Sequence, residues 1–402
     1  MLQNKNKRII SFIALIVMVF VFSSGFFSSI FNNEEQITIS KEQYEELIRF
    51  EELNEIYNII KKNYYIEPDY EKMMHQAAKG LLSGLEDPYS FYYTPEEFEK
   101  YWEEDSGEYA GIGIQILGNP DDLTCRITRV FKGSPSEKAG IKKGDLLWKA
   151  GDIDVNMHTL NDAVDFIRGE PGTYVDIKIK RNKEIIDLKV MRDNIHINWI
   201  ENMMLDDKIG LIQLFEFSGE SGKEFKKDFD DLKSKGMEGL IIDLRDNPGG
   251  WVNNALGIAD LFIDNDVLCY FEFRDGSRQY IRTQDGKIDF PIVVLINENS
   301  ASASELLSGA FQDYGIAKIV GTVSYGKGIA QDVMTVGKDH AGIQYTSAQY
   351  FTPKGRQVHK LGITPDIIVE MPEGEVIDYD LGDLNDPQLK EAYNTILGMI
   401  KK

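Results

Sequence analysis

The chain beyond residue 40 opens with a helical hydrophobic pattern. Leucine, isoleucine, tyrosine and alanine recur at spacings of three and four over about residues 40–62 and again over 70–85. This spacing places apolar side chains on one face of a helix, so it predicts two amphipathic helices packed on a larger body. A short acidic helix is expected after them, ending near Glu104.

Beyond Gly107 the apolar period shortens to two, with glycine between the segments, which is typical of short half-buried strands. Strands are expected at residues 111–116, 125–130 and 174–180. Helices are expected between them at 136–140 and 159–168. The sequence therefore predicts one compact α+β module that ends near Asp193.

From residue 194 the chain alternates almost wholly apolar runs with helical periods. The runs at 240–244 and 292–296 are typical of strands covered on both faces. Helices are expected at 255–262 and 303–314. Alternation of buried strands and helices predicts an α/β core with a mostly parallel sheet, so the whole chain is of mixed α/β and α+β class with several domains.

The N-terminus carries an almost uncharged run over residues 9–31, and about 20 apolar residues suffice to cross a membrane. Cations precede the run and anions follow it: Lys5, Lys7, Arg8, Glu34 and Glu35. The positive-inside rule then places the rest of the chain outside the cytoplasm. We expect an uncleaved, single-pass membrane anchor; a cleaved signal peptide is the alternative, although no clear cleavage site follows the run.

Composition narrows the class of protein. The 402 residues include 66 acidic and 44 basic side chains, a formal net charge of −22, which disfavours a nucleic-acid partner. Cys125 and Cys269 are expected as buried apolar side chains, with a disulfide between them as the alternative. No zinc site is expected, because no second ligand cluster accompanies either cysteine.

Candidate chemistry concentrates in Asn297–Glu305, where three serines alternate with alanines between a buried strand and a helix. At such a junction a hydroxyl is exposed, and the helix N-terminus offers N–H donors to an oxyanion. Helix capping would explain one serine, but not three. The pattern favours a nucleophilic serine.

A nucleophilic serine needs a base, and none of the five histidines stands in a recognisable triad context. A lysine can act instead if burial lowers its pKa, and Lys327, between Gly326 and Gly328, is a candidate. A solvated lysine in a glycine turn is the alternative. Residues 321–327 also fit most of a phosphate-binding loop, but Gly328 replaces the required serine or threonine.

The module at 106–193 resembles a PDZ domain. Gly111, Ile112, Gly113 and Ile114, followed by the segment 133–145, carry this resemblance. It implies that the glycine-rich loop binds the carboxylate of a peptide's C-terminus and that the peptide adds as a strand to the sheet edge. Glycine suits the loop because a side chain would block close approach of the anion.

Residues 40–370 resemble the carboxyl-terminal processing, or tail-specific, protease family. The matching motifs are Asp87–Ser90, the PDZ module, Leu244–Gly250, Ser300–Glu305, Gly326–Gln331 and Thr352–Arg356. The resemblance implies Ser302 as nucleophile, Lys327 as general base and Gln331 as the residue that orients the lysine. It also implies an oxyanion hole from the backbone N–H of Ala303 and of either Gly249 or Gly250. The sequence departs from the family's pattern at Glu298, which adds a charge near the site.

The resemblance implies a serine endopeptidase that selects proteins by their C-termini, and the expected anchor restricts its substrates to extracytoplasmic or membrane-bound proteins. No metal or cofactor is expected. The expected domains are an anchor at 1–35, a helical region at 36–105, the PDZ domain at 106–193, a protease core at 194–372 and an acidic helical tail at 373–402. An inactive PDZ scaffold and an esterase are the alternatives. A homodimer and gating of the site by the PDZ domain stay open.

Overall fold

The computed structural model describes residues 39–119, 122–284, 288–372 and 380–400. Within these ranges no helix is long and apolar enough to span a membrane, and the expected anchor at 9–31 lies outside them. The chain divides into two compact units between Met74 and His75.

The described part of the first unit is helical. The prediction of one helix over 40–62 is wrong, because the segment forms α1 (Lys41–Ile48) and α2 (Glu51–Asn63). The N–H groups of Arg49 and Phe50 bond three residues back rather than four, which tightens the last turn and ends α1. Helix α3 (Tyr70–Ser83) follows, near the predicted position.

The acidic segment forms helix α4 (Pro95–Ser106), preceded by the short strand β1 (Phe91–Tyr93). Thr94 starts α4 because its hydroxyl accepts the N–H of Glu97, whose carboxylate accepts the N–H of Thr94 in return. Gly107 ends it with φ 74°, a left-handed conformation that glycine adopts without strain.

The expected strand over 111–116 is wrong in its extent: it is divided into β2 (Glu108–Gly111) and β3 (Ile114–Gly118). The break falls at Gly113, whose φ of 82° does not fit a strand. Strand β2 instead pairs with β9 (Asp193–His196) at the far end of the module.

The α+β module contains a sheet in the order β3-β4-β5-β7-β8, with β6 paired to β5. Its remaining elements are β4 (Cys125–Val130), α5 (Pro135–Lys138), β5 (Leu146–Ala150), β6 (Ile153–Asp154), α6 (Leu160–Ile167), β7 (Tyr174–Arg181) and β8 (Glu184–Met191). Alternate residues such as Ile127, Leu147 and Ile177 are fully buried, which gives the module its own core as the period of two predicts.

The core sheet beyond residue 194 confirms the α/β prediction. Its order is β10-β11-β12-β15-β16-β19, and every pair except β10–β11 is parallel. The strands are β10 (Ile200–Met204), β11 (Ile209–Leu214), β12 (Gly239–Asp243), β15 (Ile292–Ile296), β16 (Ala317–Gly321) and β19 (Ile367–Ile368).

Helices cover both faces of this sheet. On one face lie α7 (Ser221–Ser234), α8 (Val252–Ala259) and α9 (Ala303–Tyr314), packed on Ile242, Val294 and neighbouring residues. The other face, which includes Ile241 and Val293, packs against α10 (Pro387–Ile400). Burial on both faces explains the nearly continuous apolar runs.

A second sheet has the order β1-β18-β13-β14, and β17 also pairs with β18. Its other strands are β13 (Val267–Phe273), β14 (Arg278–Arg282), β17 (Ile329–Val336) and β18 (Ala341–Phe351). Because β17 follows the loop that carries Lys327, and β18 pairs with β1, this sheet brings the residues around 89 and 327 to one region.

The expected acidic tail ends in α10, whose Leu389, Ala392 and Ile396 are buried on the core sheet. Arg245 fixes its start: the guanidinium donates to Asp243 and, at 2.6 Å, to Asp386. The two cysteines are buried and free, as expected, so the disulfide alternative is wrong.

Candidate active site

Ser302 stands between β15 and α9, immediately before the first residue of the helix. Its backbone has φ 54° and ψ −114°, a combination that glycine favours and that a serine adopts only at a cost in conformational energy. The next residue, Ala303, is the first of α9, so its N–H has no intrahelical acceptor. The strained turn thus presents the Ser302 hydroxyl beside the N–H of Ala303.

Glu305 holds this turn against the lysine loop. Its side chain is fully buried, and its Oε2 accepts the backbone N–H groups of Ser302 and Lys327, both at 2.9 Å. The other oxygen, Oε1, accepts the Ser324 hydroxyl and the Gly326 N–H, both at 2.6 Å. Burial raises the pKa of Glu305 above its ordinary value, although these four donors act in the opposite direction. One carboxylate therefore fixes the spacing between two segments about 20 residues apart.

Lys327 is half-buried, and burial lowers the pKa of its amine, although the carboxylates of Asp87 and Glu305 act in the opposite direction. Its Nζ lies 4.4 Å from the centre of the Tyr89 ring. Within the described residues, Nζ makes no ion pair. This is an environment that favours the neutral amine more than water does, rather than that of a solvated surface lysine.

Most of the expected site residues line one cavity of about 420 Å³: Ser302, Ala303, Lys327, Gln331 and Gly250. Gly249 lies behind it, because a Cβ there would stand 2.7 Å from the Cβ of Ser302. The structure therefore brings together serine, lysine, glutamine and both glycines from three separate segments of the chain.

The hydrogen bonds distinguish the two candidate oxyanion glycines. The N–H of Gly249 donates to Asn247 Oδ1 at 2.8 Å, and its carbonyl accepts the N–H of Phe217 at 2.7 Å. Gly249 is therefore fully engaged, whereas Gly250 lines the cavity with φ 127°. This geometry favours Gly250 as the partner of Ala303.

Asn247 is a positioning residue that sequence reasoning missed. It is fully buried, and its amide donates to the Leu214 carbonyl at 2.7 Å. Its own carbonyl accepts the Ala301 N–H and the Ser304 hydroxyl, both at 3.0 Å. Asn247 thus ties the glycine loop to the serine turn, and its place within Leu244–Gly250 was the only signal for it.

Glu298, the departure from the family's pattern, points away from this chemistry. Its carboxylate accepts the Thr322 hydroxyl at 2.9 Å, and it does not line the cavity. The flanking asparagines have the structural role: Asn297 and Asn299 each donate to Asp246 Oδ1 at 2.8 Å, which supports the loop that precedes Gly249.

Gln331 lies on β17 at a register shift against β18. Its amide nitrogen donates to the Thr346 hydroxyl at 3.2 Å. Gln331 therefore reaches the cavity as expected, but the partner of its amide N–H in this structure is Thr346 and not Lys327. Its role in orienting the lysine stays a prediction.

Three carboxylates line the same cavity: Glu104, Asp105 and Glu216. Burial raises the pKa of Glu216, and the neighbouring Asp105 and Glu104 act in the same direction. Burial also raises the pKa of Asp105, while hydrogen bonds from Trp251 and Ser218 lower it. Burial therefore favours the neutral form of Glu216 and Asp105 more than water does.

The expected peptide-binding loop of the α+β module borders a groove of about 210 Å³ lined by Ile112 and Ile114. Burial raises the pKa of Tyr109, also in this groove, to about 12, although the Arg168 cation and the N–H groups of Gly113 and Ile114 lower it. The loop amides thus face the Tyr109 oxygen. A Cβ at Gly111 would stand 2.7 Å from the Tyr109 ring, so this position also requires glycine.

Alanine at Gly113 is expected to destabilise the module by about 3 kcal/mol, because φ is 82° and a Cβ would stand 2.4 Å from that of Ser134. Gly133→Ala is the matched control: its φ of 77° is equally unfavourable, but no atom lies within 4 Å of the new Cβ. We expect it to cost about 1 kcal/mol. Urea unfolding of both variants measures the difference, and equal losses would contradict the steric argument.

Models of known protein families match three parts of the chain. The family model "Peptidase family S41" matches residues 208–369, and the PDZ domain model matches 103–180. A model of the N-terminal domain of the activating protease CtpB matches 19–97. The fold and the matched families define a serine-type peptidase with a PDZ domain.

Two relatives extend the match over most of the chain. The carboxy-terminal processing protease CtpA of Bacillus subtilis is 35% identical over 334 residues, which cover 82% of this chain and 71% of that protein. A probable CtpA-like serine protease of Staphylococcus epidermidis is 32% identical over 350 residues, covering 86% and 70%. The chain belongs to peptidase family S41, among the carboxy-terminal processing proteases.

Solved structures show the same fold. The photosystem II D1 C-terminal processing protease superposes with a TM-score of 0.55 at 23% identity, covering 83% of this chain and 94% of that one. An S41 protease from Bacteroides fragilis gives a TM-score of 0.55 at 15% identity, covering 85% and 96%.

Proposed function

We propose that this chain is a membrane-anchored endopeptidase in which Ser302 is the nucleophile and Lys327 the general base. The observation that carries the proposal is their shared setting. Both side chains line one cavity, and one buried carboxylate, Glu305, binds the backbone N–H of each. Burial around Lys327 favours the neutral amine that a general base requires.

The first half of the reaction forms an acyl-enzyme. Neutral Lys327 takes the proton of the Ser302 hydroxyl as its oxygen attacks the scissile carbonyl carbon. The N–H groups of Ala303 and Gly250 stabilise the negative charge on the carbonyl oxygen. The C–N bond then breaks, and the lysine ammonium donates its proton to the departing amine.

The second half regenerates the enzyme. Water enters the cavity, and Lys327 takes one of its protons while the water oxygen attacks the ester carbonyl. The bond to Ser302 breaks, the proton returns from Lys327 to the serine oxygen, and the carboxylate product leaves. Gln331 is assigned the role of orienting Lys327 once substrate displaces the Thr346 contact.

The PDZ module is assigned the selection of substrates by their C-termini, captured at Gly111–Ile114. The groove beside this loop is lined by apolar side chains such as Ile112, Ile114 and Ile116, which suits an apolar C-terminal residue. An inactive PDZ scaffold is the competing function, but it gives no reason for a half-buried lysine in the cavity of a strained serine.

One experiment tests the chemistry. The full-length chain in detergent is given an unfolded protein with a free C-terminus, the same protein with its C-terminus amidated, and a fluorophosphonate probe mapped by mass spectrometry. We expect cleavage of the free form, slower cleavage of the amidated form, and the probe on Ser302. A probe on another serine would reject the nucleophile, and peptide binding without cleavage would favour the scaffold.

The anchor and its orientation rest on the apolar run at 9–31 and the charges around it. With this orientation, the proposed protease domain lies on the outer side of the cell membrane. Protease added to intact spheroplasts should then degrade the chain beyond residue 35, whereas protection until lysis would reject this orientation.

A homodimer formed through the N-terminal helices is a further part of the proposal. What supports it is the set of apolar side chains exposed on α1 and α2, including Leu47, Leu53 and Ile56. Light scattering of the full-length chain should give twice the mass of a monomer. The Leu53→Glu variant should give the mass of a single monomer.

A further inference from the structure

The aromatic ring beneath Lys327 comes from a motif that the proposed chemistry leaves without a role. Tyr89 belongs to Asp87–Ser90, and its ring centre lies 4.4 Å from Lys327 Nζ. An ammonium within about 6 Å of the centre of an aromatic ring is attracted by the partial negative charge that the ring's quadrupole places on its face. The attraction acts on the protonated lysine and not on the neutral amine.

The ring is held firmly in this place. Asp87 binds the turn through the Tyr89 N–H at 3.0 Å and the Ser90 hydroxyl at 2.6 Å. The Tyr89 carbonyl accepts the side-chain amide of Gln344, on β18, at 3.1 Å. At the ring's far end, the hydroxyls of Tyr89 and Tyr325 are 3.3 Å apart. Anchors from three segments fix the ring beneath the lysine.

The ring stays neutral at working pH. Its hydrogen bond with Tyr325, together with burial and the nearby Asp87 and Glu305, raises the pKa of Tyr89 to about 12. The charged groups facing Lys327 are therefore Asp87, on the turn before β1, and Glu305, on α9, while Tyr89 faces it as a neutral phenol. Both carboxylates and the ring favour the ammonium, whereas burial opposes it.

We infer that Tyr89 is a positioning residue for Lys327: its ring holds the protonated side chain in a resting place and releases it when the proton is lost. Since this deepens the Ser302–Lys327 chemistry, it rests on the proposed function. Deprotonation and delivery of the base are thereby coupled, because the neutral amine loses the attraction of the ring and is free to accept the Ser302 hydroxyl.

Removal of the ring should shift the pH at which the base becomes available. In Tyr89→Leu, the acid limb of the pH profile of kcat/KM is expected to move down by about 0.5–1.5 pH units, because the protonated lysine loses its aromatic partner. In Tyr89→Phe, which keeps the ring, the limb should stay in place. Tyr325→Phe removes the same hydroxyl contact from the other side and should also leave it in place.

A second measurement does not depend on activity. Trace acylation of the Lys327 amine across the pH range, read by peptide mass spectrometry in a Ser302→Ala background, gives the lysine titration directly. Tyr89→Leu should lower that midpoint by the same amount as the kinetic limb. An unmoved midpoint, or an equal shift in Tyr89→Phe, would overturn the inference.

The outcomes separate this inference from the function on which it rests. Full activity of Lys327→Ala would reject the lysine as base, and with it the proposed function. An essential lysine whose titration ignores Tyr89→Leu would reject only the role of the ring.

Discussion

Alanine at Ser302, and separately alanine at Lys327, should each lower kcat for protein cleavage by about 10⁴-fold or more. In the proposed mechanism, the first change removes the attacking oxygen, and the second removes the group that takes its proton. Both side chains border the open cavity, so neither change should disturb the core, and the melting temperature should stay within a few degrees of the unchanged protein.

The double variant provides the sharper result. Residues that act in the same step do not contribute independently. The double variant should therefore cleave no more slowly than the slower of the two single variants. Lys338→Ala is the control, because this lysine is exposed in the turn between β17 and β18. If Lys327→Ala cleaves normally while Ser302→Ala is inactive, another residue is the general base.

Glutamine at Glu305 is expected to lower kcat by about 10²-fold and the free energy of unfolding by about 3 kcal/mol. The carboxylate receives four donors, and three of them are backbone N–H groups that cannot turn away. In one orientation the glutamine NH₂ points at the N–H of Gly326, and in the other it points at the N–H groups of Ser302 and Lys327. Since the site is fully buried, no water relieves the conflict.

Glu298→Gln is the matched control for this change. Glu298 lies in the loop before Ser302 and loses the same charge, but its one side-chain partner among the described residues is the Thr322 hydroxyl, which can rotate. We expect less than about 0.5 kcal/mol and normal cleavage. Steady-state kinetics and urea unfolding measure both variants, and a harmless Glu305→Gln would show that the serine and lysine segments are positioned without it.

Local sequence pattern predicted the elements well where burial is simple. The buried strand 292–296 and the helix 303–314 have the predicted bounds, since continuous apolar runs and 3.6-residue periods are unambiguous there. It failed at Arg49 and Gly113, where one helix and one strand are divided. Those breaks depend on hydrogen-bond geometry and on one dihedral angle, which periodicity does not encode.

The residues of the candidate site were predicted from motifs, whereas the contacts that hold them in place were not. Ser302 and Lys327 stood out by residue type and by resemblance, and both reach one cavity. The choice between Gly249 and Gly250 required the hydrogen bond to Asn247. Glu305 and Tyr89 belong to motifs that the sequence shows. Their partners lie in distant segments, so their contacts follow only from the fold.

The strained backbone of Ser302 also affects the balance between the stability of the protein and its activity. Holding a serine at φ 54° and ψ −114° costs about 1–3 kcal/mol, out of a typical total stability of about 5–15 kcal/mol. Glycine at 302 would occupy the same turn without that cost and would give a protein that outlasts the natural one while cutting nothing. A screen for thermal stability alone would therefore favour replacement of Ser302, the proposed nucleophile.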